Sequence, residues 1–197
     1  MEYLDGSMLG DGYIGTQSDR SAHYSIGQKH GEYTRFVADY LGKFGIDSCP
    51  IYDYSYVAKN GKRYSASHCV THSYAELISQ RKRWYDGNVK IVPTDVRLTP
   101  ISLRTWYLED GNLYIASDCA LGQIAIHTCS FTKEEVGTLI DRLKRLLDTD
   151  RIHLCMSKGI YPTIRFAHRD AVRKFFDYMA PLPDELRDKY SYKYLDN

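Results

Sequence analysis

The chain has 197 residues, enough for one domain or two small ones with a substantial core. Its 43% hydrophobic and 26% charged residues are ordinary for a globular protein, and no apolar run approaches the roughly 18 residues of a membrane helix. The net charge of +1 argues mildly against a nucleic-acid partner, although the distribution of charge matters more than its total. Five widely spread cysteines without a CxxC pair indicate reduced thiols in an intracellular protein.

The first half of the chain predicts a helix over about residues 2–11, in which Gly6, Ser7 and Gly10 leave one flank bare enough for another helix to approach. The elements that follow are a hairpin of strands 13–18 and 23–28, a helix over 32–44, strands 49–57 and 63–71 joined by an Asn-Gly turn, and a helix that Ser73 caps and that runs to about Trp84. The apolar stripe of the second helix is predicted to be Phe36, Val37, Tyr40, Leu41 and Phe44.

The second half repeats this order after a connector over residues 87–100. It predicts a helix over 101–110, strands near 112–118 and 122–129, a helix capped by Thr132, strands near 151–156 and 161–167, and a helix over about 169–179. The sequence therefore predicts an α+β protein made of two αββαββα units, with residues 1–86 and 101–197 as subdomains.

Residues 4–12 (Leu-Asp-Gly-Ser-Met-Leu-Gly-Asp-Gly) and 103–111 (Leu-Arg-Thr-Trp-Tyr-Leu-Glu-Asp-Gly) share a frame in which Asp11 matches Asp110. We call them the first and second motifs. Each predicts a helix that ends in an acid followed by glycine, which favours a left-handed helix end. A carboxylate at a helix C-terminus is disfavoured by roughly 0.3–1 kcal/mol, so two such ends side by side favour a bound cation. A single Asp-Gly would more simply be a hairpin turn, but two copies in one frame are harder to dismiss.

This frame resembles the LAGLIDADG motif, and residues 106–111 (Trp-Tyr-Leu-Glu-Asp-Gly) are its most specific part. The chain is similar to double-motif, monomeric LAGLIDADG homing endonucleases over nearly its whole length. The resemblance implies a pseudo-twofold fold in which two antiparallel sheets form a DNA-binding saddle around two packed motif helices.

Under this resemblance the catalytic acids are Asp11 and Asp110. Together they would hold Mg²⁺, and Mn²⁺ or Ca²⁺ could occupy the same site. The orphaned backbone carbonyls of Gly10 and Glu109 are candidate further ligands. The family's basic catalytic residues, which would polarise water or stabilise the charge on the phosphate, match Lys90, in a K-x-x-P segment, and Lys193, in a Tyr-Lys pair, with Lys189 as a competitor for the second position.

The two motifs are not identical. Glu109 stands where the first motif has Gly10, and Thr105 stands where it has Gly6. The helix interface is therefore expected to be asymmetric, and the two active sites are expected to cut their strands at different rates.

The predicted DNA contacts are the polar, outward-facing alternates of the hairpins. Arginine and glutamine suit bidentate contacts to guanine and adenine, and lysines at turns suit phosphates. A one-residue register error would invert the set in any strand. The predicted residues are Gln17, Arg20, His23, Ser25, Gln28, Tyr52, Tyr54, Tyr56, Lys59, Lys62, Arg63 and Tyr64 in the first half, and Tyr114, Ser117, Gln123, His127, Lys158, Tyr161 and Arg165 in the second.

The leading functional hypothesis is a metal-dependent, site-specific endonuclease that cuts both strands of a long DNA target. One alternative is an intron maturase on the same scaffold that binds intron RNA, and another is a non-catalytic DNA-binding regulator. The partner is double-stranded DNA, no membrane is involved, and the protein is expected to be a monomer. Its expected location is the cytoplasm or nucleoid, or an organelle matrix if an organellar intron encodes it.

Overall fold

The computed structural model describes residues 2–57, 61–115 and 122–195. The helices are α1 (Glu2–Leu9), α2 (Gly31–Gly42), α3 (Glu76–Trp84), α4 (Pro100–Asp110), α5 (Lys133–Leu146), α6 (Arg169–Tyr178) and α7 (Arg187–Tyr190). The strands are β1 (Tyr13–Ser18), β2 (Ser21–Gln28), β3 (Tyr52–Val57), β4 (Arg63–Val70), β5 (Tyr85–Asp86), β6 (Val89–Lys90), β7 (Gly111–Tyr114), β8 (Gln123–His127), β9 (Ile152–Ser157) and β10 (Tyr161–Phe166). The α+β class and the duplicated αββαββα order are thereby confirmed.

The chain forms two compact units by packing. The first-sheet unit consists of Asp11–Tyr85 and Pro183–Lys189, and the second-sheet unit consists of Met1–Gly10, Asp86–Leu182 and Tyr190–Asn197. The predicted subdomains 1–86 and 101–197, with the connector 87–100, follow the repeat in the sequence and not the packing, and they stay a prediction. Helix α1 thus packs in the unit that holds the second motif.

The first-sheet unit has an antiparallel sheet in the order β1-β2-β4-β3. Its inner face buries Tyr24 and Ile26 of β2, and α2 and α3 pack on β2 and β4. A hydrogen bond of 2.9 Å between the hydroxyls of Thr34 and Ser67 joins α2 to β4. Because one face of this sheet is covered by helices, the side chains of the other face remain available for a ligand.

The second-sheet unit has the matching sheet in the order β7-β8-β10-β9. Ile124, Ile126 and Phe166 are buried on its inner face, against which α5 and α6 pack. Helix α5 begins at the cap predicted for Thr132. The cap is a capping box, in which the Thr132 hydroxyl accepts from Glu135 N and the Glu135 carboxylate accepts from Thr132 N.

Within the second-sheet unit, the motif helices α1 and α4 pack directly on each other. A Cβ added to Gly6 would lie 2.3 Å from Ser102 O and 2.8 Å from Thr105 Cβ, so the two backbones approach as closely as glycine allows. The prediction that the bare flank of the first motif admits another helix is therefore confirmed. Helix α4 starts where Thr99 caps the Ser102 amide and Pro100 occupies the first turn.

Three local predictions were wrong. Ser73 does not cap α3, because the backbone of Tyr74 exchanges hydrogen bonds with Ala22 of β2 and the helix begins only after it, at Glu76. Gly111 has φ −82° and is extended, so it does not form a left-handed helix end. Phe44 is 57% exposed because α2 ends at Gly42, two residues before it.

In the part of the chain that the structure describes, no helix has the length and apolar character that crossing a membrane requires. The described cysteines, Cys49, Cys69, Cys129 and Cys155, are free thiols, as the prediction of reduced cysteines requires.

Candidate active site and nucleic-acid interface

The first motif helix ends in a turn that a lysine closes. The Gly10 amide hydrogen-bonds to the carbonyls of Gly6 and Ser7, and Lys90 Nζ donates to Gly10 O at 2.8 Å. The expectation that Gly10 O is orphaned was therefore wrong. Its second lone pair is the part of this carbonyl that a metal ion could still use.

The second motif helix ends on Lys193. Its Nζ donates to Leu108 O at 2.6 Å and to Gly111 O at 2.8 Å, and the Lys193 side chain is buried. Tyr107 locks the lysine from the other side by donating its hydroxyl to Lys193 O at 2.5 Å. Lys189, the competing candidate, is exposed. Lys193 is thus the lysine that contacts the second motif.

These two lysines supply part of the positive charge that the acids at the motif helix ends require. The C-terminal end of a helix carries partial negative charge, and an ammonium hydrogen-bonded to its last carbonyls offsets that charge. Lys90 does this for α1 and Lys193 for α4. Each motif acid therefore follows a helix end that a lysine has already neutralised in part.

Asp11 is exposed and is held by Gln28. The Gln28 side-chain amide donates to Asp11 Oδ2 at 2.6 Å, and both residues belong to the first-sheet unit. Gln28 was predicted as a DNA contact, but the structure places it on a motif acid. Sequence reasoning missed this role because Gln28 is the last residue of β2, 17 residues away along the chain.

Glu109 fills the space beside Gly10. Its Oε2 accepts a hydrogen bond from Ser7 Oγ at 3.1 Å, and a Cβ on Gly10 would lie 2.6 Å from the same oxygen. The ends of α1 and α4 therefore meet at Gly10 and Glu109, and each of these residues is followed directly in the chain by its motif acid. Asp110 itself is half-buried at the last position of α4.

The donor set around the motif ends consists of carboxylate and carbonyl oxygens. Among residues 2–57, 61–115 and 122–195, no group of three or more His, Cys, Asp or Glu side chains could hold a metal ion by itself. A cation such as Mg²⁺, which keeps several waters and binds one or two carboxylates plus a substrate phosphate, fits such a sparse set of oxygens.

The outer face of the first sheet is aromatic. Tyr52, Tyr54 and Tyr56 of β3 pair with His68, Ala66 and Tyr64 of β4. We call Tyr52, Tyr54, Tyr56 and Tyr64 the tyrosine ladder. Their rings lie 5.7–6.2 Å apart between centroids along the row, and each side chain is 42–51% exposed.

His68 supports one end of this ladder. Its Nδ1 lies 2.5 Å from Tyr52 Oη, and burial lowers the pKa of His68 from its ordinary value of 6.5. The imidazole is therefore neutral at pH 7, and the hydrogen bond fixes the position of the Tyr52 ring.

The other predicted contacts of the first half are distributed unevenly. Strand alternation places Arg63 and Tyr64 on opposite faces of β4, although both are exposed. Ser25 is only 8% exposed, which corrects its expected accessibility. Lys59 lies outside the described residues. The exposed or half-buried remainder is Gln17, Arg20, His23 and Lys62.

The outer face of the second sheet is more polar. Arg165 donates from Nη1 to Gln123 Oε1 at 3.4 Å, and His153 of β9, which sequence reasoning missed, pairs with Arg165. The alternation of Ile152, His153 and Leu154 was a signal that could have revealed it. The other predicted contacts Tyr114, His127, Lys158 and Tyr161 are exposed, and Ser117 lies outside the described residues.

Burial governs the ionisation of the phenols beside Lys193. It raises the pKa of Tyr107 and of Tyr194, so both phenols remain neutral throughout the physiological range. A neutral Tyr107 hydroxyl is what the hydrogen bond to Lys193 O requires.

Comparison with known proteins agrees with this architecture. A model of the LAGLIDADG DNA endonuclease family matches residues 1–175. The uncharacterized protein MJ1098 of Methanocaldococcus jannaschii is 26% identical over 190 residues, which cover 95% of this chain and 71% of that protein.

Solved structures share the fold. The homing endonuclease I-WcaI bound to its DNA recognition sequence superposes with a TM-score of 0.81 at 20% identity, covering 95% of this chain and 84% of that one. The N-terminal LAGLIDADG domain of DUF199/WhiA gives 0.57 at 13% identity (95% and 84%), and I-DmoI in complex with DNA and Mn gives 0.50 at 15% (92% and 97%). The chain therefore belongs to the LAGLIDADG DNA endonuclease family.

Proposed function

We propose that the protein is a site-specific endonuclease that hydrolyses both strands of a long double-stranded DNA target. The observation that carries the proposal is the meeting of the motif helices at Gly10 and Glu109, with Asp11 and Asp110 next in the chain and a lysine on each helix end. Membership of an endonuclease family supports it, as does the likeness of the fold to I-WcaI bound to its DNA recognition sequence.

In this mechanism the two motif acids provide carboxylate oxygens for a divalent cation. A cation held there supplies an activated water and charge stabilisation for phosphodiester hydrolysis. The protein's own contribution is positional. Gln28 orients the Asp11 carboxylate and Lys193 fixes the last carbonyls of α4. The outer faces of the two sheets bind the duplex.

The proposed cation is Mg²⁺, with Mn²⁺ and Ca²⁺ as ions that the same oxygens would accept. I-DmoI, which shares the fold, has been solved in complex with DNA and Mn, and this supports divalent-metal use in general. We further propose that the protein acts as a monomer, because one chain carries both motifs, and that it serves the homing of an intron or another mobile element inside the cell.

Cleavage of a randomised duplex library with Mg²⁺ tests this proposal. The wild type is expected to cut a narrow set of sequences, and Asp11→Asn or Asp110→Asn to reduce cutting by at least a hundredfold, as loss of a central electrostatic group does. Asp19→Asn, an exposed aspartate in the β1–β2 turn, is the matched control and should cut like the wild type.

Other outcomes would identify the alternatives. Selection of one duplex without cutting would indicate a non-catalytic DNA-binding regulator. Retention of structured intron RNA without DNA selection would indicate a maturase. Equal cutting by Asp11→Asn and the wild type would remove the first motif acid from the mechanism.

A further inference from the structure

The outer face of the first sheet carries almost no charge, which is unusual for a surface assigned to DNA. Among the described strand residues that share this face with the tyrosine ladder, none is Lys, Arg, Asp or Glu; they include Tyr13, Gly15, His23, Gly27, Ala66 and His68. The corresponding face of the second sheet presents Arg165, Gln123 and His153. The two sheets therefore offer different chemistry to a bound duplex.

The tyrosine ladder cannot grip bases by stacking them between its rings. The planes of Tyr54 and Tyr56 are inclined by only 25°, as are those of Tyr56 and Tyr64, with centroids 6.2 and 5.7 Å apart. A base inserted between two rings would need roughly 6.8 Å, twice the ~3.4 Å rise per nucleotide. The rings therefore leave no gap for a base between them, although each tyrosine is still 42–51% exposed.

An exposed row of aromatic rings has one specific counterpart in the major groove. Bidentate discrimination of guanine or adenine needs a guanidinium or an amide, and the tyrosine ladder contains neither. The Tyr52 hydroxyl is already engaged by His68. Apart from the hydroxyls of Tyr54, Tyr56 and Tyr64, the exposed surface of the ladder is apolar ring, and the base feature that an apolar contact recognises is the C5-methyl group of thymine.

We propose that the tyrosine ladder reads thymine C5-methyl groups, so that the half of the target bound by the first sheet is thymine-rich and depends on those methyls. The second sheet reads its half through hydrogen bonds. This inference rests on the proposed function, since it names what one surface of the endonuclease recognises.

Replacement of thymine by deoxyuridine tests the inference, because it removes the methyl and keeps every hydrogen-bonding group. The preferred duplex is first selected from a random library with Ca²⁺ in place of Mg²⁺, and each half is then substituted separately. Deoxyuridine in the half bound by the first sheet is expected to weaken binding about fourfold per contacted methyl, as burial of one carbon implies. In the other half it should have little effect.

Variants of Tyr54, an exposed residue of the edge strand β3, test whether the ladder causes the deoxyuridine penalty. In Tyr54→Ser the deoxyuridine penalty should shrink at the positions that Tyr54 covers, whereas Tyr54→Phe, which keeps the ring edge and loses only the hydroxyl, should retain it. Tyr114→Ser, which changes an exposed tyrosine of the second sheet, is the control and should leave the penalty unchanged.

Several results would overturn the inference. They are a selected target without thymine clusters in either half, a deoxyuridine penalty that is equal in Tyr54→Ser and the wild type, or no penalty at all. In each of these cases the protein still selects a duplex, so the proposed function is not contradicted. Failure to select any duplex would instead overturn the proposed function and this inference with it.

Discussion

At the scale of single residues, the hydrogen bond from Gln28 to Asp11 makes a prediction that separates positioning from binding. A hydrogen bond to a charged group is worth roughly 1.5–3 kcal/mol, so Gln28→Ala should slow cleavage by about ten- to a hundredfold. Because the Gln28 amide is engaged by the Asp11 carboxylate, DNA affinity should change little. Single-turnover cleavage at saturating protein and a parallel binding titration measure the two effects.

Gln17→Ala is the matched control for this variant. Gln17 is an exposed glutamine of the neighbouring strand β1 and was predicted as a DNA contact on the same grounds. Its loss should leave the cleavage rate at saturation unchanged. If Gln28→Ala instead weakens binding and cuts at the normal rate once bound, Gln28 reads DNA as the sequence first suggested, and its role at Asp11 is refuted.

At the scale of elements, the contact of α1 with α4 makes Gly6 indispensable. A Cβ there would lie 2.3 Å from a backbone oxygen of Ser102, so Gly6→Ala must separate the helices and should cost at least about 2 kcal/mol of unfolding free energy. Gly137→Ala in α5 is the opposite case, since a Cβ there meets nothing within 4 Å. It should stabilise the protein by roughly 0.5–1 kcal/mol through helix propensity. Urea denaturation of both variants measures the contrast, and equal effects would contradict it.

The end of α4 provides a second prediction at this scale. Lys193→Met would leave the buried carbonyls of Leu108 and Gly111 without this donor, at a cost of about 2–4 kcal/mol in unfolding free energy. Lys189→Met alters an exposed side chain and should change stability by less than about 0.5 kcal/mol. If both variants unfold at the same urea concentration as the wild type, Lys193 does not stabilise this helix end.

Local signals in the sequence predicted the elements well and failed where distant segments compete. Thr132 and Ser73 are each followed by a glutamate three residues later, yet only Thr132 forms a capping box. The segment after Ser73 is held extended by the bridge between Tyr74 and Ala22, 52 residues away, which no local pattern records.

The candidate site was likewise predictable only where local signals determine it. The motif frame identified the acids and the small residues of the α1–α4 contact, because helix periodicity and side-chain size are local properties. The partners Gln28 of Asp11 and Ser7 of Glu109 depend on how distant segments fold together, so sequence could not supply them. The sequence pattern predicted no helix or strand beyond residue 179, although the candidate Lys193 lies in that tail.

At the scale of the whole molecule, the duplication is symmetric in its elements and asymmetric at its motifs. In the first motif the residue before the acid is Gly10, whose carbonyl accepts from Lys90. In the second motif it is Glu109, a half-buried carboxylate that Ser7 engages. The DNA strand cut at the second motif would therefore lie beside an extra negative charge. The strand cut at the first motif would not, because Gly10 occupies the corresponding position.

We expect the two strands to be cut at different rates. A charge near a helix end contributes typically 0.3–1 kcal/mol, and ~0.7 kcal/mol in the barrier corresponds to about threefold in rate. Glu109→Gln removes the charge and keeps an oxygen that can accept from Ser7, so it should bring the two rates together. Glu134→Gln, which changes an exposed side chain in the first turn of α5, should not. A time course with each strand labelled separately measures both rates. Equal rates in the wild type would show that the asymmetry of the motifs is confined to helix packing and does not reach the chemistry.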